Sequence, residues 1–69
     1  MISLADQLAA AQRELRMRKT TYPRLVAQGK MTTIEAEWQT QVMAAIVQTL
    51  HRLDAEERQL ALFPRVIAS

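Results

Sequence analysis

The chain has 69 residues, of which 49% are hydrophobic, and it carries nine basic and seven acidic side chains. A chain of this length builds one small domain. It contains no cysteine and a single histidine, which excludes disulfides, thiolate metal ligands and multi-histidine metal sites. We therefore expect neither a cofactor nor a bound metal. The remaining routes to stability are long packed helices and association with another chain.

The residue types favour helix throughout. Alanine, leucine, glutamine, glutamate, arginine and methionine are abundant, whereas only three residues are aromatic and Gly29 is the only glycine. Such a composition promotes helices and provides few of the turn residues that a sheet needs. The composition predicts an all-α fold.

The first helix has a recognisable start. Ser3 followed three residues later by Asp6 is typical of a helix N-cap. Beyond it, apolar residues recur at spacings of four, three and four, which predicts one apolar stripe: Leu4, Leu8, Ala11 and Leu15. We expect this helix to run from about Ser3 to about Thr20.

Pro23 is expected to interrupt the helical pattern. Its ring removes a backbone donor and disfavours helical geometry at Tyr22. Either the helix kinks here, or it stops and a short linking helix begins at Pro23. Gly29 then suits the left-handed position that closes a helix.

A second helix follows with a stronger start signal. Thr32 and Glu35 match a capping box, and no helix-breaking residue occurs before Pro64. We expect a helix from about Thr33 to about Leu60. Its apolar stripe is broad: Ile34, Trp38, Val42, Ala45, Ile46, Leu50, Leu53 and Leu60, widened by Met43 and Val47.

Two helices joined by a tight connection fold back as an antiparallel hairpin. Because the second helix is longer and its apolar face is wider than one partner helix can cover, we expect a dimeric helical bundle. The candidate dimer interface consists of Trp38, Met43, Ile46, Val47 and Leu50. In the alternative, the Pro23–Gly29 segment folds over this face and the protein remains a monomer.

Near the carboxyl end, Gln59-Leu60-Ala61-Leu62-Phe63 resembles the pentapeptide by which bacterial polymerases and repair factors dock on the DNA sliding clamp. The resemblance covers five residues. It implies that Leu62 and Phe63 fill a deep pocket, Leu60 fills a shallower one, and Gln59 forms a hydrogen bond at the rim. We accordingly expect a helical hairpin over residues 1–61 and a flexible tail over 62–69. In the alternative, the apolar residues of this segment pack on the first helix.

A second resemblance involves Tyr22-Pro23, Val26 and Gly29-Lys30-Met31, followed by a helix. This pattern resembles a stretch of small uncharacterised helical proteins encoded by phages and prophages, and it covers about residues 13–50. The chain departs from the pattern at Leu25, where those proteins carry an aromatic residue. The resemblance implies no activity, but it implies a protein that works in the cytoplasm of a bacterium or of an infected bacterial host.

Residues 13–30 contain six basic side chains and one acidic side chain. The candidate phosphate contacts are Arg13, Arg16, Lys19, Arg24 and Lys30. No row of stacking aromatic residues accompanies them, so a solvated helix face is the preferred interpretation and any nucleic-acid binding is expected to be weak.

No residues in the sequence form a plausible catalytic site. His51 has a carboxylate three residues away, Asp54, as many surface histidines do, and Glu35 and Glu37 lie too close in sequence to act as an acid–base pair. No apolar stretch is long enough to cross a bilayer. Together the two resemblances imply a non-catalytic phage-type adaptor or inhibitor that docks on the sliding clamp. The alternative is a structural helical dimerisation module with weak nucleic-acid binding.

Overall fold

The computed structural model describes residues 1–62, which form two α-helices packed against each other. Helix α1 spans Leu4–Ala27 and helix α2 spans Thr33–Leu62. The connection of residues 28–32 is short enough that the helices lie antiparallel, as predicted. Helix α2 ends two residues beyond its expected boundary.

Both predicted helix starts are confirmed by side-chain caps. The hydroxyl of Ser3 accepts a hydrogen bond from the backbone N–H of Asp6 at 3.0 Å. The hydroxyl of Thr32 accepts one from the backbone N–H of Glu35 at 3.1 Å. Each cap satisfies an amide that has no partner within its own helix, and this fixes the residue at which the helix begins.

The expected end of the first helix near Thr20 is wrong, and no separate linking helix forms at Pro23. Helix α1 continues through Pro23 to Ala27. A proline inside a helix costs about 3 kcal/mol, because one backbone hydrogen bond is lost and its ring crowds the preceding turn. Here the ring is exposed, whereas Tyr22 and Leu25 beside it are half-buried, so their burial offsets that cost.

Gly29 ends the first helix in the left-handed conformation that the sequence predicted. Gly29 has a φ of 73°, and its backbone N–H donates to the carbonyl of Val26 at 3.0 Å. The N–H of Lys30 donates to the carbonyl of Leu25 at 2.9 Å. This pair of bonds is a Schellman motif, and its left-handed residue is strained for any side chain larger than hydrogen.

The contact between the helices, which we call the inner seam, follows a repeat of alternating three- and four-residue spacings. Every member is buried or half-buried. Its residues are Leu4, Leu8, Ala11, Leu15, Arg18, Tyr22 and Leu25 on α1, and Ala36, Thr40, Met43, Val47, Leu50 and Asp54 on α2. Such spacing is characteristic of coiled-coil packing.

Arg18 occupies one seam position and links the two helices. Its guanidinium donates to the carboxylate of Glu14 at 2.9 Å and to the backbone carbonyl of Gln39 at 2.9 Å. It also lies 5.9 Å from the centre of the Tyr22 ring. Arg18 therefore stabilises the hairpin through polar contacts at a position where a coiled coil usually places an apolar residue.

The apolar core of the hairpin is small. Among residues 1–62, the buried hydrophobic side chains are Leu8, Ala11, Ala36 and Met43, and two of these four are alanines. No large side chain in this part of the chain is fully buried. Helix packing of this size leaves little margin against the entropy of the unfolded chain.

Candidate docking surfaces

Residues 59–62 of the segment that resembles the clamp-binding peptide form the last turn of α2. Residues 59–62 are helical, and the side chains of Leu60 and Leu62 are 51% and 73% exposed. Phe63 and the rest of the predicted tail, residues 63–69, lie outside the described part of the chain. Leu62, the first residue of the predicted tail, is helical.

This last turn extends past the first helix. Helix α2 has 30 residues and α1 has 24, a difference of about 9 Å at 1.5 Å per residue. Because the turn that joins the helices is short, the additional length lies at the open end of the hairpin. Within the described chain, no side chain beyond Arg58 forms a hydrogen bond or an ion pair. Among the described residues, the polar contacts that hold this turn are therefore helix backbone hydrogen bonds.

A helical last turn does not present the leucines as an extended peptide would. On a helix, residues two apart face away from each other, so Leu60 and Leu62 point in different directions. In an extended chain they lie on the same side. Docking into adjacent pockets therefore requires this turn to unwind, and helix ends open at little cost when their side chains contact nothing else.

Immediately before this turn lies a polar contact that sequence reasoning missed. Asp54 is the only buried charged residue in the described chain, with 7% of its surface exposed. Its carboxylate accepts a hydrogen bond from the guanidinium of Arg58 at 3.0 Å, rather than pairing with His51. The sequence did contain a signal for the burial of Asp54, because this residue follows Leu50 by four positions and so continues the inner seam. Arg58 marks the point beyond which α2 has no further side-chain anchor.

A second surface runs along α2 beside the inner seam, and we call it the outer stripe. It consists of Val42, Ile46, Thr49, Leu53 and Leu60. Ile46 and Leu53 are 42% and 37% exposed, although both are large and apolar. An open groove of about 490 Å³ lies against its centre, lined by Gln7, Val42, Ala45, Ile46, Thr49 and Leu50.

The structure divides the predicted dimer interface between two faces of α2. Met43 is buried in the inner seam, and Val47 and Leu50 are half-buried on the same side. Of the five predicted residues, Trp38 and Ile46 are exposed, Trp38 by 62%. Ile34, near Trp38, is 79% exposed. The apolar surface of α2 is thus wider than α1 covers, as expected from the sequence.

The basic residues form a separate surface. Arg13, Arg16, Lys19 and Arg24 are all exposed along α1, and Lys30 is exposed in the turn. Within residues 1–62, none of the five takes part in an ion pair; the pairs are formed by Arg18, Arg52 and Arg58. The outward face of α1 therefore carries positive charge without compensating carboxylates.

The predicted absence of catalytic residues stays a prediction. Glu35, Glu37 and His51 are exposed. In the part of the chain that the structure describes, no three histidine or acidic side chains come together as metal ligands do. A further open groove of about 510 Å³ near the turn is lined by Pro23, Val26, Thr33, Ala36, Glu37, Thr40 and Gln41. Its walls contain one titratable side chain, that of Glu37.

Comparison with known proteins yields no family model, no curated sequence and no solved structure that matches this chain. Neither of the two described helices has an apolar stretch that would span a membrane. The functional interpretation therefore depends on the surfaces described above.

Proposed function

We propose that the protein is a non-catalytic adaptor or inhibitor of the phage type, which docks on the bacterial DNA sliding clamp through Gln59–Phe63. The observation that supports this proposal is the combination of the peptide sequence with its location. Residues 59–62 of the peptide occupy a helix end that extends past the rest of the hairpin, and the side chains of Leu60 and Leu62 are exposed.

The physical basis is the insertion of apolar anchors into preformed pockets. A peptide that unwinds from the helix end places alternate side chains on one face, while a glutamine hydrogen bond sets its register. Burial of a leucine and a phenylalanine contributes roughly 2–3 kcal/mol each before ordering costs are subtracted. Together the two anchors contribute about 4–6 kcal/mol, which corresponds to a dissociation constant between about 1 mM and some tens of micromolar. The burial of Leu60 and the hydrogen bond of Gln59 supply the remainder of a micromolar affinity. The hairpin itself remains folded, since Asp54 and Arg58 precede the unwound turn.

Titration of purified sliding clamp with the full chain tests the proposal. We expect a dissociation constant on the order of micromolar for the wild type. The double substitution Leu62→Ala/Phe63→Ala removes both deep-pocket anchors, and we expect it to weaken binding by about 100-fold or more. Met17→Ala is the matched control, because Met17 is a similarly exposed apolar residue on α1. Failure of the wild type to bind at tens of micromolar would rule out the proposal.

A second candidate function is that of a helical dimerisation module with weak nucleic-acid binding. Two observations favour it: the exposed apolar surface around Trp38 and Ile46, and the unpaired basic face of α1. Phosphate groups bind such a face without sequence readout, and each contact releases counterions.

For this candidate, we expect binding to duplex DNA that weakens steeply as salt is raised. The joint substitution Arg13→Ala/Arg16→Ala should reduce the slope of log K against log[salt] by about two, since each arginine that binds a phosphate adds about one to the slope. Arg52→Ala, which removes an exposed arginine from α2, is the control and should leave the slope unchanged. Affinity that does not depend on salt concentration would exclude the phosphate contacts.

A further inference from the structure

The free and the docked forms of the candidate peptide need different backbones. Residues 59–62 are helical in the structure, and on a helix the side chains of Leu60 and Leu62 point in different directions. The proposed docking needs both side chains on one side, which requires an extended backbone. Since one segment cannot adopt both conformations at once, the helix competes with docking for the same residues.

Ala61 is the residue that biases this competition toward the helix. In an extended chain its side chain faces away from the side that Leu60 and Leu62 share, so it does not enter the pockets that hold them. In the helix its side chain is exposed. Alanine is the strongest helix former among the natural residues. The position with the smallest part in docking therefore carries the residue that most favours the helical form.

Asp54 and Arg58 limit how far the helix can unwind from its carboxyl end. The guanidinium of Arg58 donates to the buried carboxylate of Asp54 at 3.0 Å, a contact that needs helical geometry between the two residues. Unwinding past Arg58 would leave this carboxylate without its partner. Beyond Arg58, no side chain of the described residues opposes unwinding through a hydrogen bond or an ion pair. The segment that can unwind thus begins at Gln59.

We propose that the last turn of α2 regulates docking, because its helical form cannot bind the clamp and only its unwound form can. The inference deepens the proposed function and rests on it. The apparent association constant then equals that of the unwound peptide multiplied by the fraction of molecules in which the turn is unwound. Few contacts oppose unwinding, so the helix lowers the affinity without abolishing it.

The substitution Ala61→Thr tests the proposal by weakening the helix. Threonine is a poorer helix former than alanine and favours an extended backbone. We expect the affinity for sliding clamp to rise by up to about threefold. In the absence of clamp, the Cα chemical shifts of residues 59–62 should move toward extended values, and those of residues 43–50 should not. Ala55→Thr, the same change at an exposed site before Arg58, is the matched control and should leave the affinity unchanged.

A covalent link makes the opposite change and locks the turn. The natural chain contains no cysteine, so the variant Glu57→Cys/Ala61→Cys has two thiols only, both at exposed sites one helical turn apart. A bifunctional thiol reagent that spans one turn should lower clamp affinity by at least about tenfold, since the linked turn cannot unwind. The reference is the same variant with each thiol capped separately, which carries similar bulk. A link in Gln41→Cys/Ala45→Cys, where the helix is not required to open, should leave the affinity unchanged.

The results separate this inference from the proposed function. Equal binding by the linked and capped forms would overturn the regulation by the helix and would leave clamp docking intact. An Ala61→Thr variant that loses helix in residues 59–62 without gaining affinity would also overturn it. If the wild type and all variants fail to bind at tens of micromolar, the proposed function is wrong and this inference is wrong with it.

Discussion

Replacement of Leu8 by alanine is expected to remove most of the stability of the isolated hairpin. Leu8 is 8% exposed and is the only leucine among the four buried apolar side chains of the described chain. Truncation of a buried leucine costs about 2–5 kcal/mol, because the lost burial adds to the cavity that remains. A core of this size supplies only about 3–5 kcal/mol in total. The variant should therefore be largely unfolded at 25 °C.

Far-ultraviolet circular dichroism during urea or thermal unfolding measures this effect. Met17→Ala is the matched control, since Met17 lies on the same helix and is 59% exposed. The control should change the free energy of unfolding by less than about 0.5 kcal/mol. If the two variants unfold at the same midpoint, Leu8 does not pack in the inner seam as described. Both are compared at a concentration where the wild type is monomeric, because self-association adds stability.

The helix boundaries set by local hydrogen bonds were predictable from the sequence. Ser3, Thr32 and Gly29 act through atoms of their own residues and of neighbours within five positions, so the sequence pattern contains the whole interaction. At Pro23, a prediction from local interactions alone gives the wrong helix end. The proline has a local cost, but the burial of Tyr22 and Leu25 against α2 outweighs it, and that contact is not local.

The choice of which α2 face packs inward was harder to predict. The bulky residues Ile34 and Trp38 suggested the seam, yet both are exposed, whereas Ala36 is buried. Small side chains allow two helices to approach closely, and the alternation of three- and four-residue spacings continues from Ala36 to Asp54 without interruption. A prediction based only on the number of large apolar residues selects the wrong face of α2. It ignores the alternating three- and four-residue spacing, which the inner-seam residues of α2 share with those of α1.

For the candidate docking residues, the sequence predicted the exposure of the side chains better than the conformation of the backbone. The resemblance to a docking peptide predicted that Leu60 and Leu62 are available to a partner, and both are exposed. That Leu62 is also helical did not follow, because the predicted helix ended at about Leu60. No proline or glycine occurs between Thr33 and Leu62, and each residue that joins an existing helix adds a backbone hydrogen bond, so the helix extends to Leu62, the last described residue.

The buried carboxylate of Asp54 leads to a prediction in which two substitutions at one contact act in opposite directions. Asp54 occupies an inner-seam position that suits an apolar residue, and its buried charge is compensated by a single side chain, Arg58. Replacement of a buried ion pair by apolar packing is often stabilising, whereas removal of one partner leaves a desolvated charge. The pair thus stabilises the end of α2 less than a leucine would.

We expect Asp54→Leu to raise the free energy of unfolding by about 1 kcal/mol or more, and Arg58→Ala to lower it by about 1 kcal/mol. The decrease expected for Arg58→Ala is small for the loss of a buried charge's partner, because the Arg58 side chain is itself 69% exposed and solvent screens the pair. Arg52→Ala is the control: it breaks the exposed contact with Glu56 at 3.9 Å and should be nearly neutral. Urea denaturation of the variants measures all three changes.

A destabilising Asp54→Leu would mean that the carboxylate has a role which apolar packing cannot replace. A neutral Arg58→Ala would mean that water already solvates Asp54. Since the docking turn begins after Arg58, Asp54→Leu should stabilise the hairpin and leave clamp affinity unchanged.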